Sequence, residues 1–324
     1  MKRVLITGGA GYIGSVLVKL LLEKDYFVRV LDNLSFGGES IIELLNNNHF
    51  EFVKGDIRNK QDLTKSMQNI DYVVHLASIV GDPACAINPE LTKDINLNGA
   101  KLTYEVANKM GITKFIFAST CSNYGKMKDE NAFVDEKSEL VPVSLYAETK
   151  VKFEKYLLSQ DKTNIAKPTC LRFATVYGLS SRIRFDLTVN EFTKDLAMGK
   201  ELVIFGEQFW RPYCHVVDLS RAVITVIEAD DKKVSFNVFN VGDTNENYQK
   251  QMIVNEIKKQ LPKAKIKYIK KDEDPRDYRV SFEKIRKELN FKITKTVPDG
   301  IKQIIQVVNE GFINNPDDSK YKNI

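Results

Sequence analysis

Histidine and cysteine are scarce in this chain: of 324 residues, three are histidine and four cysteine. Cys85, Cys121, Cys170 and Cys214 form no Cys-x-x-Cys pair, and with so few imidazoles no zinc-ligand spacing can be assembled. No structural metal and no disulfide scaffold is therefore expected, and the thiols read as reduced and buried. No apolar stretch reaches the roughly 18 residues that span a bilayer, so no membrane partner is expected. Charge of one sign is lacking too. Lys and Arg number 48 against 43 Asp and Glu, and a net charge of +5 spread this evenly specifies no nucleic-acid partner. In the one lysine-rich stretch, Lys258 to Lys271, the residues Ala264, Ile266 and Tyr268 alternate with Lys263, Lys265 and Lys267. That period of two describes a half-buried strand showing lysines to water, which also blunts a sheet edge. Internal repeats, Ser/Gly linkers and low-complexity tracts are absent. The opening Met1-Lys2-Arg3 runs into a short apolar stretch and then a glycine cluster, which is not the pattern of a signal peptide and implies a cytoplasmic location.

What is present is the composition of an ordinary globule, 43% hydrophobic and 28% charged, with 17 Gly and 9 Pro. The length suits two domains, or one large α/β unit with an elaborated second half. Val4-Leu5-Ile6 is followed by Ile13, Val16, Leu17, Leu20 and Leu21 at helical spacing and then by Phe27 to Leu31, which is a β-α-β unit. The pattern repeats through Phe52-Val53, a polar helix around Gln61 to Gln68, Tyr72 to Leu76, a helix from about Pro89 to Met110, and Phe115-Ile116-Phe117. Strands separated by helices need crossover connections, which gives an α/β fold with a doubly wound parallel sheet covered on both faces. A helix near Leu145 to Leu158, a strand over Thr169 to Phe173 and a helix around Asp186 to Met198 follow, after which Gly199, Gly206, Gly242 and Pro262 break the rhythm. The expected division is a nucleotide domain over 1–170, to which a segment of about 207–240 returns, and a smaller C-terminal α/β substrate domain over most of 171–324. The polar stretch from Asn314 to Ile324 reads as frayed.

Gly8, Gly11 and Gly14 stand between the first strand and the first helix. A tight turn needs the first, close approach of backbone to a pyrophosphate the second, and close helix–sheet packing the third. The N–H groups that open the helix, at Tyr12 and Ile13, and the positive end of its dipole then face phosphate. A glycine triplet alone is also an ordinary strand–helix turn. Here it opens a β-α-β unit, and Asp32 ends the second strand 18 residues after Gly14, with Asn33 beside it and no basic neighbour. A carboxylate there accepts from both ribose hydroxyls and repels a 2′-phosphate, so the expected cofactor is NAD, on a Rossmann sheet. Asp56 and Ile57, after the third strand, are placed to address the adenine amine and ring. Leu76, Ala77 and Ser78, after the fourth, are placed under the nicotinamide half, although such positions are also ordinary loop and core.

Tyr146 and Lys150 are four apart in a helical stretch, so their side chains leave the same face. With an ordinary pKa of about 10 a tyrosine is a poor base at neutral pH, and an ammonium one turn away favours its phenolate. A surface pair is the plain alternative. Ser119-Thr120 argues against it, because it ends the fifth strand at the carboxyl edge where doubly wound sheets bind ligands.

These motifs, with His75-Leu76-Ala77, Asn96 in Asn96-Leu97-Asn98-Gly99, Tyr124-Gly125 and the late Arg211-Pro-Tyr-Cys-His215-Val-Val-Asp218, together resemble the extended short-chain dehydrogenase/reductases. Within these the chain is most similar to the NAD-dependent sugar-nucleotide epimerase/dehydratases, and the resemblance covers nearly its whole length. It implies that Tyr146 takes the proton from a sugar hydroxyl, normally at C4, while hydride passes to NAD. It gives Lys150 the nicotinamide ribose and the lowering of the tyrosine's pKa, and Thr120, less so Ser119, a hydrogen bond to the same hydroxyl. Asn96 becomes a structural residue of the cofactor shell. A nucleotide-diphosphate sugar is the implied partner, with Arg211 and Arg276 on the diphosphate and Thr175 where related epimerases often carry a substrate-touching asparagine. His215 and Asp218 are expected to hold a loop and cap a helix. A homodimer is implied, through a bundle of the helices near 89 to 110 and 144 to 160.

Departures from the family pattern narrow the reaction. The 4,6-dehydratases place an Asp-Glu pair directly after the active-site Ser/Thr, and here those positions are Cys121 and Ser122. Val80 stands where UDP-galactose 4-epimerases often carry a lysine. Ser181 to Leu187 is similar to a bacterial subgroup associated with surface polysaccharide, including GDP-heptose C4 dehydrogenases, and puts Arg182 or Arg184 in reach of a phosphate. The reading is an NAD-dependent oxidoreductase at C4 of a nucleotide-diphosphate sugar, most simply a 4-epimerase. The alternatives are a 4-dehydrogenase or 4-keto-reductase, and more remotely a dehydratase or a non-catalytic NAD-binding regulator.

Overall fold

In a computed structural model, which describes residues 1–127, 129, 132–269 and 276–323, the apolar runs become strands with covered faces on both sides. Lys270 and Lys271 of the lysine-rich stretch and the final Ile324 lie outside the described residues. One parallel sheet is formed by β1 (Arg3–Thr7), β2 (Phe27–Asp32), β3 (Phe50–Lys54), β4 (Tyr72–His75), β5 (Lys114–Thr120), β6 (Lys167–Phe173) and β10 (Asn237–Val241). Between β6 and β10 the chain makes β7 (Thr175–Tyr177), β8 (Glu201–Phe205) and β9 (Trp210–His215), which lie elsewhere. The order across the sheet is β10-β6-β5-β4-β1-β2-β3. Strand order therefore reverses between β1 and β4, and a crevice opens at their carboxyl ends.

The helices Tyr12–Glu23 and Val216–Glu228 cover one face, burying Leu17, Val18, Leu21, Leu219 and Val223. On the other face lie Lys60–Ser66, Ala100–Lys109 and Leu145–Leu158, with Leu63, Tyr104, Phe153 and Leu157 in the core. Burying each such leucine or phenylalanine stabilises the fold by about 1.5–3 kcal/mol. The doubly wound α/β architecture expected from the alternating runs is thus present.

The single helix expected from Pro89 to Met110 is broken. Pro89–Lys93 passes into a π-helical turn, Asp94–Gly99, before Ala100–Lys109. Side chains explain the wider turn. Asn96 is held inward by both backbone groups of Ile79, accepting from its N–H at 2.8 Å and donating to its carbonyl at 2.9 Å. Gly99 lies where a Cβ would come within 3.1 Å of Ile57. Such π turns mark functional positions more often than plain helix does.

The rest of the chain builds a second, smaller packing unit. The strand β11 (Asn247–Gln249) joins β9 and β7 in a three-stranded sheet, and β12 (Lys265–Ile269) pairs parallel with β8. Helices Thr188–Ala197, Lys250–Gln260 and Val297–Asn309 enclose Val189, Ile253, Ile257 and Ile301 with them. Of the segment 207–240, the helix Val216–Glu228 packs on the large sheet and β10 follows in it, whereas β9 does not. Lys265 and Lys267 point to water as expected, but Tyr268 is 43% exposed, because a two-stranded ribbon offers little to bury it.

The final stretch is not frayed. Asp317 pairs with Lys194 and Lys200, Phe185 N–H donates to the Tyr321 carbonyl at 2.8 Å, and the Tyr321 ring packs edge-on against Phe185. Composition read as polar and loose misses specific ion pairs of this kind. All four cysteines are free and buried, and among the described residues no helix is long and apolar enough to cross a membrane.

Candidate active site

The glycine loop sits at the point where strand order reverses. Gly8 takes φ +76°, and a Cβ there would lie 2.7 Å from the Ala77 nitrogen, so the loops after β1 and β4 touch through it. A Cβ on Gly14 would lie 2.4 Å from the Gly8 carbonyl oxygen. Gly11 precedes the helix Tyr12–Glu23, which has neither a side-chain cap nor an acidic residue in its first turn, so its opening N–H groups and dipole face outward. Asp32 accepts from Ala10 N–H at 3.0 Å and Leu34 N–H at 2.9 Å. Burial raises its pKa, and these two hydrogen bonds oppose the shift. The carboxylate thereby fixes the loop and keeps lone pairs for two hydroxyls. An open glycine cradle, an uncapped helix start and a carboxylate at the next strand end fit NAD.

The remaining expected cofactor residues differ in surroundings. Leu76, Ala77 and Ser78 are half-buried at the crevice. Asn33 is engaged locally, accepting from Ser35 N–H and hydroxyl. Asp56 pairs with Arg58, which holds its carboxyl below the usual range. Ile57 is 6% exposed and belongs to the core that Gly99 abuts. Asn96 pins the loop after β4 through Ile79.

The Thr120 hydroxyl acts on the Tyr146 phenol at the carboxyl edge of β5, favouring its phenolate. Thr120 Oγ1 also accepts from Ser122 N–H at 3.1 Å. Lys150 Nζ donates to the Ala118 carbonyl at 2.9 Å and lies 5.7 Å from the centre of the Tyr146 ring. Electrostatics depart from the expectation. Burial holds the Tyr146 phenol well above its ordinary value, Cys85 and Asp82 push the same way, and Thr120 and Arg184 oppose them. Burial also lowers Lys150 to about 7. Desolvation disfavours both charged forms, so the ammonium gives up its proton before the phenol. His75, buried and hydrogen-bonded to Thr7 at 2.8 Å, is pushed down to about 3 by burial and the Lys150 charge and stays neutral.

Alternation along β5 separates the two hydroxyls. Ser119 is turned to the interior, where it donates to Glu154 at 2.7 Å and accepts from Asn123, so Thr120 alone faces the crevice. Glu154 in turn pairs with Arg172, which donates to Tyr124 at 2.8 Å. This network escaped the sequence reading, although Glu154 follows Lys150 by the same four-residue step that links Lys150 to Tyr146. Cys121 is buried with its thiol on the Arg172 carbonyl, and burial pushes its pKa well up, so it offers no acid or base.

The substrate candidates fall into two groups. Arg211 and Arg276 both act electrostatically on Tyr213 and Tyr278. Arg211 stacks 5.3 Å from the Tyr278 ring, and Tyr278 Oη reaches Ser122 Oγ at 3.4 Å. Arg276 donates to Asp82 at 2.7 Å, tying the second region to the short helix Asp82–Ile87. Thr175 stands in β7 opposite Tyr213. Arg184, by contrast, donates from Nε and Nη2 to Asp186, at 2.9 and 2.8 Å. Asn190 was also missed: it bonds Gly178, the Arg184 carbonyl and Tyr12 Oη, locking residues 178–184 to the helix that opens at Tyr12. His215 and Asp218 do what was expected of them. His215 accepts from Val217 N–H at the helix start, and Asp218 receives Thr294 and Lys295.

The model of the NAD dependent epimerase/dehydratase family matches residues 4–242, and the chain belongs to that family. Among its relatives, a UDP-glucose 4-epimerase from Lacticaseibacillus casei is 31% identical over 256 residues, covering 74% of this chain and 76% of that one. Two solved structures superpose over almost the whole chain. One is a UDP-glucuronic acid 4-epimerase from Bacillus cereus in complex with UDP-glucuronic acid and NAD, with a TM-score of 0.84 and 27% identity over 95% of this chain and 99% of that one. The other is a UDP-glucose 4-epimerase from Thermotoga maritima with UDP-glucose, with a TM-score of 0.83 and 27% identity over 96% and 100%.

Proposed function

We propose that this chain is an NAD-dependent 4-epimerase of a nucleotide-diphosphate sugar. The observation that carries the reading is the seating of Thr120, Tyr146 and Lys150 at the carboxyl edge of the sheet, with Arg211 over the Tyr278 ring and Arg276 on Asp82 supporting it from the second region. Bound NAD supplies a hydride acceptor and donor. Burial alone keeps the Tyr146 phenol protonated; with the cationic charge of the bound cofactor favouring its phenolate, Tyr146 would accept the proton of the C4 hydroxyl and later return it, and Thr120 would orient that hydroxyl. Lys150 holds the nicotinamide ribose. Arg211 and Arg276 grip the diphosphate as the 4-keto sugar turns over between half-reactions, and the guanidinium fork suits phosphate oxygens. The names of the relatives point to a uridine diphosphate sugar. With Cys121 buried and Ser122 a neutral hydroxyl beside Tyr278, no acid–base pair stands where elimination of water would need one.

The decisive measurement is turnover of UDP-glucose, UDP-glucuronate and their GDP, CDP and dTDP counterparts by the wild type and by Tyr146→Phe. Loss of the acid–base group lowers kcat by about 10²- to 10⁴-fold, while bound NAD per chain stays the same. Near wild-type turnover by the variant would sink the mechanism. The working form is a cytoplasmic homodimer joined by the helices Ala100–Lys109 and Leu145–Leu158, and sedimentation at the mass of two 37.0 kDa chains checks it.

A further inference from the structure

Arg182 is 7% exposed, and its guanidinium makes one hydrogen bond, from Nη2 to the Lys322 carbonyl at 2.9 Å. Its Nε is buried without a partner, and no carboxylate among the described residues lies within ion-pair distance of it. The neighbouring Arg184 is neutralised by Asp186, so Arg182, Arg184 and Asp186 leave one buried positive charge uncompensated. An unpaired buried charge costs several kcal/mol in general and persists where a ligand of opposite sign will answer it. Burial and the Arg184 charge lower the Arg182 pKa to about 10, in keeping with that cost.

Its position says which anion. The Arg182 N–H donates to Ser180 Oγ at 3.2 Å, and Ser180 Oγ donates to the Tyr12 carbonyl at 2.7 Å in the first turn of the helix behind the glycine loop. The guanidinium carbon lies 4.3 Å from the centre of the Phe36 ring, in the loop that leaves Asp32. The side chain therefore joins the helix start to the loop after β2, the two elements that hold the pyrophosphate and ribose of a dinucleotide. It is not part of the Arg211, Arg276 and Tyr278 group. We propose that Arg182 is a further cofactor-binding residue, the cation that meets the dinucleotide pyrophosphate, held in place by the segment ending at Asn323. This rests on the NAD reading above.

Arg182→Met keeps the apolar stem and removes the charge. Calorimetric titration of the full chain with NAD and, separately, with UDP should show NAD binding weakened about tenfold or more and UDP binding within twofold of wild type. Arg182→Lys should recover part of the NAD affinity. Without NAD the methionine variant should melt at a higher temperature than wild type, because an uncompensated buried charge is gone, and NAD should raise its midpoint less. A purely structural arginine gives the opposite, with earlier melting and an unchanged NAD increment, and that result overturns the proposal. Weakened UDP binding with intact NAD binding overturns it equally. Failure of the wild type to bind NAD at all would instead remove the underlying reading.

Discussion

The two walls of the crevice are built on different principles. One consists of the ends of β1, β2, β4 and β5, where glycine φ angles, backbone hydrogen bonds and the turn at Asp32 set each position within a few residues of sequence. The other is assembled from side chains distant along the chain. Residues 178–186, Arg211, Arg276, Tyr278 and Asp317–Asn323 are held by Asn190, by the Arg276–Asp82 pair and by Asp317 between Lys194 and Lys200. Backbone geometry makes the first wall intolerant of change. The second is fixed by single polar contacts and can be adjusted one residue at a time.

The largest test of this contrast is Gly14→Ala. The new Cβ would meet backbone on both sides, 2.4 Å from the Gly8 oxygen and 2.6 Å from the Gly9 Cα. Neither can move independently of β1, so the cost should be on the order of 3 kcal/mol, with NAD binding lost, as read by denaturant unfolding and calorimetry. An alanine variant as stable and as tightly binding as wild type would mean that the first wall is softer than described.

Next in size is Lys150→Met, which sharpens the same wall by separating chemistry from stability. Burial lowers the Lys150 pKa from its ordinary 10.5 to about 7, so between these values the unfolded chain binds more protons than the native one. Stability contributed through this group therefore rises with pH over that window, and the penalty is greatest at and below about pH 7. The methionine variant should be inactive yet more stable than wild type by about 2 kcal/mol at pH 6.5, with the gap closing toward pH 10. A gap that does not change with pH would contradict the assignment.

The smallest effect is expected from Asp317→Asn on the second wall. Asp317 is half-exposed, so loss of its pairs with Lys194 and Lys200 should lower stability by less than about 1 kcal/mol. The two lysines hold its pKa at about 2, below the ordinary 3.8, so its contribution is complete above about pH 4 and is lost as pH falls toward 2. Because the segment grips residues 182–186, the KM for a sugar nucleotide or NAD should rise severalfold at constant kcat. An unchanged KM would show that the second wall does not depend on this strap.

Local chemistry explains which parts of the site could be read in advance. Glycines 8, 11 and 14, Asp32, and Tyr146 with Lys150 are legible because turn sterics, strand ends and the 3.6-residue helical period act over a few residues. The same reasoning could not separate Ser119 from Thr120. Which hydroxyl faces the crevice depends on where Glu154 and Arg172 pack, and those contacts come from another helix and another strand. Nor could it foresee the π turn that brings Asn96 to Ile79, since the cause is a side chain reaching across to a different loop.

By itself the sequence determined the parallel doubly wound sheet, the glycine loop and the setting of Tyr146 and Lys150 on one helix face, all consequences of short-range periodicity and backbone freedom. Only the tertiary structure decided which charges are answered. It pairs Arg184 with Asp186 and Arg276 with Asp82, straps the segment ending at Asn323 across residues 182–186, and leaves Arg182 buried with its charge unbalanced. Burial and ion pairing are set by neighbours brought together across the whole chain, and desolvation at those places, not residue type, fixes the protonation of Tyr146 and Lys150.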